Sequence, residues 1–231
     1  MPVITVENVS LSYGGIKVIE DVNFALECGD YLCIAGENGS GKTTLLKAIT
    51  GLKKPDSGAI NFGGIKSSEV GYLPQQTDMQ KDFPASTREV VLSGFVGSMG
   101  LRPFYSKKQK NVADDTMKRL GIYDLRKKCY HELSGGQQQK VLLARAICAS
   151  GKLIVMDEPT ASLDSAASEE FYKIISELNA DGMTVIVISH DIPGIIDHAG
   201  KVLYLGEQKP LFFGSVKEYK EKFLHKKEET K

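Results

Sequence analysis

Apolar positions along the chain fall into two rhythms. Extended, β-branched runs recur at Ile4–Ser10, Lys17–Leu26, Tyr31–Ala35, Leu153–Met156, Thr184–Ser189 and Val202–Leu205. Several are almost unbroken apolar stretches, as strands covered on both faces are. Between them the spacing lengthens to that of helices, at Lys42–Thr50, Ala166–Asn179 and Ile192–His198. From Leu153 onward strand and helix alternate, which predicts parallel strands joined by crossovers. The segment from about Ser86 to Ala149 departs from this rhythm. It carries three helical patterns, Ser86–Ser93, Lys107–Leu120 and Gly135–Ala149, without a convincing strand among them, and reads as an inserted helical subdomain. The tail Lys220–Lys231 is almost entirely charged and predicts a frayed end.

A chain of 231 residues is long enough for one α/β domain with such an insertion. The expected division is a core from 1–85 and 150–215, a helical subdomain at 86–149, and a C-terminal helix with the charged tail at 216–231. Lys+Arg and Asp+Glu both total 29, so the net charge is zero and no global field draws the chain to nucleic acid or anionic lipid. Any such partner must be met locally, and none is expected for nucleic acid. Apolar stretches such as Leu153–Met156 and Val185–Ile188 fall far short of the roughly 20 residues of a spanning helix. Met1–Thr5 has no basic region ahead of an apolar one. These features predict a soluble, cytoplasmic protein. Cys28, Cys33, Cys129 and Cys148 form no C-x-x-C pair and are expected as reduced thiols.

Chemistry first becomes visible at Gly36-Glu37-Asn38-Gly39-Ser40-Gly41-Lys42-Thr43-Thr44, which fits the phosphate-loop pattern G-x-x-x-x-G-K-[ST]. A buried strand feeds into it and a helix leaves it, so its glycines let backbone N–H groups turn toward a phosphate at a helix N-terminus. Lys42 would reach the β- and γ-phosphates, and the Thr43 hydroxyl would hold Mg²⁺. Further on, the apolar run Leu153-Ile154-Val155-Met156 ends in Asp157 and Glu158. Buried acids are costly unless paired or bonded. Asp157 is expected to serve Mg²⁺ through water, and Glu158 to polarise the water that attacks the γ-phosphate.

Leu133-Ser134-Gly135-Gly136-Gln137 reads locally as a capping box opening the helix Gly135–Ala149. It also resembles the signature sequence of ABC ATPases. A Ser and two glycines leave the helix N-terminus bare and positive, suited to an anion. In that family this end faces the γ-phosphate held by the opposite subunit. The family's remaining positions fall in order from Tyr13 to about Ser215. Tyr13 resembles the aromatic that stacks on adenine. Gln75, followed by Gln76, resembles the glutamine that senses Mg²⁺ and the γ-phosphate. Asp164 in Ser162-Leu163-Asp164 resembles the loop through which two subunits feel each other's sites, or else caps the next helix. His190 resembles the switch histidine on the γ-phosphate. His131, His198 and Cys129 match no role and are read as structural.

The resemblance implies a P-loop NTPase core with a mostly parallel sheet, an antiparallel β subdomain and an inserted helical subdomain. It implies ATP and Mg²⁺ as ligands and a head-to-tail dimer, with a homodimer expected. It also implies a separate membrane permease, with a substrate-binding protein engaged indirectly, and a place on the inner face of the membrane. The rival is a soluble ABC ATPase such as an iron–sulfur cluster assembly subunit. Translation factors and chromosome or repair proteins fit less well, since the chain has one cassette and no long heptad insertion. A regulator without turnover is opposed by Glu158 and His190. The compact Gly64–Val70 stretch, Asp82-Phe83-Pro84 ahead of the helix Glu89–Gly94, Gln137-Gln138-Gln139 and Phe212-Phe213-Gly214-Ser215 look like the zinc and manganese importer ATPases. In that reading Met79 and Phe83, in the loop Gln75–Ser86, anchor the permease, or else Phe83 packs into the helical subdomain's own core.

Overall fold

The apolar runs become the middle of a twisted sheet in the computed structural model, which describes residues 1–75, 84–189 and 192–224. Strands β1 (Ile4–Tyr13), β2 (Ile16–Leu26) and β4 (Ser57–Phe62) form an antiparallel sheet ordered β2-β1-β4. Strands β3 (Tyr31–Gly36), β5 (Gly71–Leu73), β6 (Leu153–Asp157), β7 (Thr184–Ile188), β8 (Lys201–Leu205) and β9 (Pro210–Ser215) form a second, ordered β5-β6-β7-β3-β8-β9. Its pairs are parallel except β8 with β9. Around it lie helices α1 (Lys42–Ile49), α2 (Thr87–Leu92), α3 (Val96–Met99), α4 (Lys107–Arg119), α5 (Gly135–Ala149), α6 (Ser165–Ala180), α7 (Ile192–Ile196) and α8 (Val216–Tyr219).

Alternation along the central strands divides the core in two. Cys33, Ala35, Ile154, Met156, Val185 and Val187 pack on the face covered by α5 and α6. Leu32, Ile34, Val155, Ile186 and Ile188 point the other way, onto α1 and the antiparallel sheet. Every residue of β6 and β7 is buried, and each large apolar side chain so placed contributes roughly 1.5–3 kcal/mol. The ends of these strands are thus held by a rigid layer. Between residues 86 and 149 the described backbone is made of helices and short 3-10 turns joined by loops, and its β structure is an isolated bridge, Ser86 with Cys129. Helices α2, α4 and α5 each begin with a reciprocal capping box: Ser86 with Glu89, Ser106 with Gln109 and Ser134 with Gln137.

Three details depart from the sequence reading. Strand β5 has only three residues and lies between Val70 and Pro74, too short for any periodicity to register. Strand β9 is half-exposed and opens on Pro210, which an edge strand tolerates. The tail is not frayed from Lys220. Lys220–Leu224 forms a π-helical turn, and Phe223 stacks on Tyr219 with centroids 5.0 Å apart. The four cysteines are free.

Candidate active site

Strand β3 delivers the chain to Gly36, where φ is 149° and a Cβ would overlap the Leu205 carbonyl of β8. The loop turns back at Gly41, φ 91°, and α1 starts at Lys42. Because Gly41 is the N-cap and has no side-chain acceptor, the first amides of α1 stay available to an external anion. Lys42 is 6% exposed, and its ammonium donates to the carbonyls of Gly36 at 2.9 Å and Glu37 at 2.7 Å. Burial holds its pKa below the usual lysine range, partly countered by the charges of Glu158 and Asp157. The Ser40 hydroxyl is buried without a partner among the described residues. A buried orphan hydroxyl, a folded-back ammonium and bare helix amides in one loop fit a phosphate chain.

Asn38, Gly39, Gly41, Lys42, Thr43 and Thr44 line one cleft of about 410 Å³, together with Tyr13, Val18 and Glu158. Tyr13 ends β1, the middle strand of its sheet, and its ring is half exposed with the Lys53 ammonium 4.4 Å from its centroid. Lys53 drew no attention in the sequence, since only the fold brings it to Tyr13.

Asp157 closes β6 at 2% exposure. Burial raises its pKa, with Glu158 pushing the same way, while a hydrogen bond from the Thr43 hydroxyl at 3.4 Å opposes the shift. A second acid beside a buried one suits a site completed by a cation. Glu158 sits at φ 47°, its amide donating to the Ile188 carbonyl at 3.0 Å. The Gln75 side-chain amide, just beyond β5, donates to the Glu158 carboxylate at 3.0 Å. Gln75 and Glu158 share a smaller cleft of about 220 Å³ with Gln139. Gln139 donates to the Pro159 carbonyl, and its own carbonyl oxygen is buried with no partner among the described residues. This brings Lys42, Thr43, Asp157, Glu158 and Gln75 together. His190, Gln76, Met79 and Phe83 lie outside the described residues.

Ser134, Gly135, Gly136 and Gln137 stand elsewhere. They line a separate cleft of about 360 Å³ with Ser162, Leu163 and Asp164. Ser134 caps α5, and Asp164 caps α6 by accepting from the Ala167 amide at 2.8 Å. A Cβ on Gly135 would meet only the Ser162 carbonyl, at 3.9 Å, and one on Gly136 only the Ala167 methyl, at 4.0 Å. Packing inside the chain therefore does not require these glycines, although glycine is a poorer helix former than alanine. His198 is structural, bonded through Nδ1 to the Ser176 hydroxyl at 2.9 Å.

Comparison with known proteins identifies the family. The model of the ABC transporter family matches residues 19–161. The manganese transport system ATP-binding protein MntB of Bacillus subtilis is 35% identical over 90% of this chain and 85% of its own length. The zinc uptake system ATP-binding protein ZurA of Listeria innocua is 34% identical over 94% and 87%. Among solved structures, CbiO1 of Clostridium perfringens, part of the ABC transporter complex CbiONQ, superposes with a TM-score of 0.81 at 30% identity, covering 98% of this chain and 94% of that one. A nucleotide-free ATP-binding cassette from an ABC transporter superposes with a TM-score of 0.84 at 25% identity, covering 97% and 96%. No helix among the described residues is long and apolar enough to cross a membrane. With a phosphate loop, a carboxylate pair and a capped signature helix set on this fold, the chain belongs to the ABC transporter family and is an ATP-binding, ATP-hydrolysing subunit of it.

Proposed function

We propose that this subunit drives uptake of a divalent metal ion, zinc or manganese, working as a head-to-tail pair against a separate membrane permease on the inner face of the membrane. The observation that carries the pairing is the separation of the two clefts, one with the phosphate loop and carboxylates, the other with Ser134–Gln137 and Asp164. Neither cleft alone holds all the groups, so a second copy turned end for end supplies what the first lacks. The metal follows from the relatives, named for manganese transport, zinc uptake and zinc transport. In this reading the chain is the motor and its cargo is chosen by other subunits. A substrate-binding protein is engaged only through the permease.

In this reading Tyr13 stacks on adenine, and the amides of Gly36–Thr44 with the Lys42 ammonium hold the phosphates. Thr43, Asp157 and Gln75 would hold Mg²⁺, which supplies charge neutralisation on the phosphate oxygens. The Glu158 carboxylate orients the attacking water and takes its proton as the water oxygen bonds to the γ-phosphorus. The bond to the bridging oxygen breaks and that oxygen leaves with ADP. Ser134, Gly135, Gly136 and Gln137 of the facing copy close over the same phosphate, Asp164 links the two sites, and His190 contacts the γ-phosphate. The permease docks on the helical subdomain and the Gln75 loop, with Phe83 and Met79 as anchors. Deleting the gene should make cells grow poorly in zinc- or manganese-depleted medium and recover when that metal is restored. Normal growth under both limitations, in a strain without a redundant importer, would sink the metal assignment and leave the ATPase intact.

A further inference from the structure

Between Glu89 and Asp114 the chain carries no acid and four bases, Arg102, Lys107, Lys108 and Lys110, all exposed. In a chain whose charges sum to zero, this is a local cationic segment. Its centre is also apolar. Leu101 and Phe104 are 104% and 82% exposed, and Val96 is 59% exposed. The exposure does not come from loose structure. Met99 is buried, and Phe95 and Tyr105 pack on the helical core from either side. The Arg102 amide and guanidinium both donate to the Met99 carbonyl, at 3.3 and 3.2 Å. Ser106 then caps α4. The fold thus builds a fixed tip and presents two large apolar side chains on it, with three lysines on the helical turn behind.

Large apolar side chains flanked by lysine and arginine are the composition that seats at the boundary of headgroups and acyl chains. The inner leaflet is anionic and attracts such clusters. Helix α4, which follows the tip, also lines a groove of about 720 Å³ with α2, at Arg88, Glu89, Asp114 and Arg126, on the subdomain read above as facing the permease. We infer that the tip Gly100–Tyr105 and the first turn of α4 form a lipid-surface contact, in which Leu101 and Phe104 enter the interface of an anionic bilayer while Arg102, Lys107, Lys108 and Lys110 pair with lipid phosphates. The contact orients the subunit against the membrane independently of the permease. It rests on the transporter reading only for bringing the chain to a membrane.

The test is co-sedimentation of the full chain with vesicles of phosphatidylcholine alone or with added phosphatidylglycerol. The protein should sediment with the anionic vesicles, stay in solution with the neutral ones, and be released by high salt. The pair Leu101→Ser and Phe104→Ser, and separately the pair Lys107→Gln and Lys108→Gln, should each lower the partition coefficient by about tenfold. Melting temperature and basal ATP turnover should not change, since these side chains touch neither core nor site. Wild-type protein that ignores anionic vesicles, or variants that bind them equally well, would overturn the inference. Variants that bind vesicles normally yet fail to bind the reconstituted permease would overturn it too, and would give the tip to the permease. None of these outcomes bears on metal-dependent growth, so the transporter reading stands or falls separately.

Discussion

At Glu158 the backbone is left-handed, φ 47°, a conformation that costs a non-glycine residue on the order of 1–3 kcal/mol unless its surroundings fix it. The amide hydrogen bond to the Ile188 carbonyl and the side-chain hydrogen bond from Gln75 hold the residue there. Glu158 lines the cleft that also holds Lys42. Glu158→Gln should therefore keep nucleotide affinity, which resides in the loop, and lose turnover by about 10²–10⁴-fold. Parallel ATP titration and phosphate release check both halves, and activity within a few-fold of wild type would remove Glu158 as base. The thiols give a pH signature. Burial pushes Cys33 and Cys148 each up to about 12. An unfolded thiol ionises near 8.5, so above about that pH the unfolded chain holds fewer protons than the folded one. The stability is then fully present below that value and is lost as pH rises toward about 12. Chemical denaturation across this range should show an alkaline decline that Cys33→Ala makes shallower; an unchanged slope would contradict it. Exposed Cys28 should react with a thiol reagent in the native protein, while Cys33 and Cys148 should wait for unfolding.

Helix starts show where a local rule and a function diverge. The α5 N-terminus has a complete capping box, yet its first two residues are glycines with room for a methyl group. Gly135→Ala should leave the melting temperature unchanged or raise it, because alanine is the better helix former and a methyl group there has room. A clear fall would mean that the glycine serves the chain's own fold. Strands β3, β6 and β7 were legible in the sequence because burial on both faces writes an unbroken apolar run. Strands β5 and β9 were not, the first for its length and the second because a half-exposed edge needs no such run. The phosphate loop and the carboxylate pair were legible because phosphate chemistry asks for neighbouring residues in fixed order. Gln139 and Lys53 were not, since each meets its site through a contact made only by folding, Gln139 with Pro159 and Lys53 with Tyr13.

For the molecule as a whole, the proposed head-to-tail pairing predicts that association depends on nucleotide. Glu158→Gln protein should run as a monomer alone and as a dimer with ATP in size-exclusion chromatography. Ser134→Arg should block the shift. Mixing it with Lys42→Ala should restore a fraction of turnover through pairs in which one composite site is intact, and no restoration at any ratio would argue against the head-to-tail arrangement. The placement of β5 has a mechanical consequence. It is an edge strand of three residues, paired among the described residues to β6 alone, and it leads directly to Gln75 and so to Glu158. The phosphate loop hangs from β3, three strands away. Short edge strands open first, so amide hydrogen exchange should be faster at Gly71–Leu73 than in β3 or β7 and should slow when nucleotide binds. On the proposed mechanism, a pull on this margin of the sheet would act as a clutch, disengaging the Glu158 carboxylate while the loop Gly36–Thr44 keeps its grip.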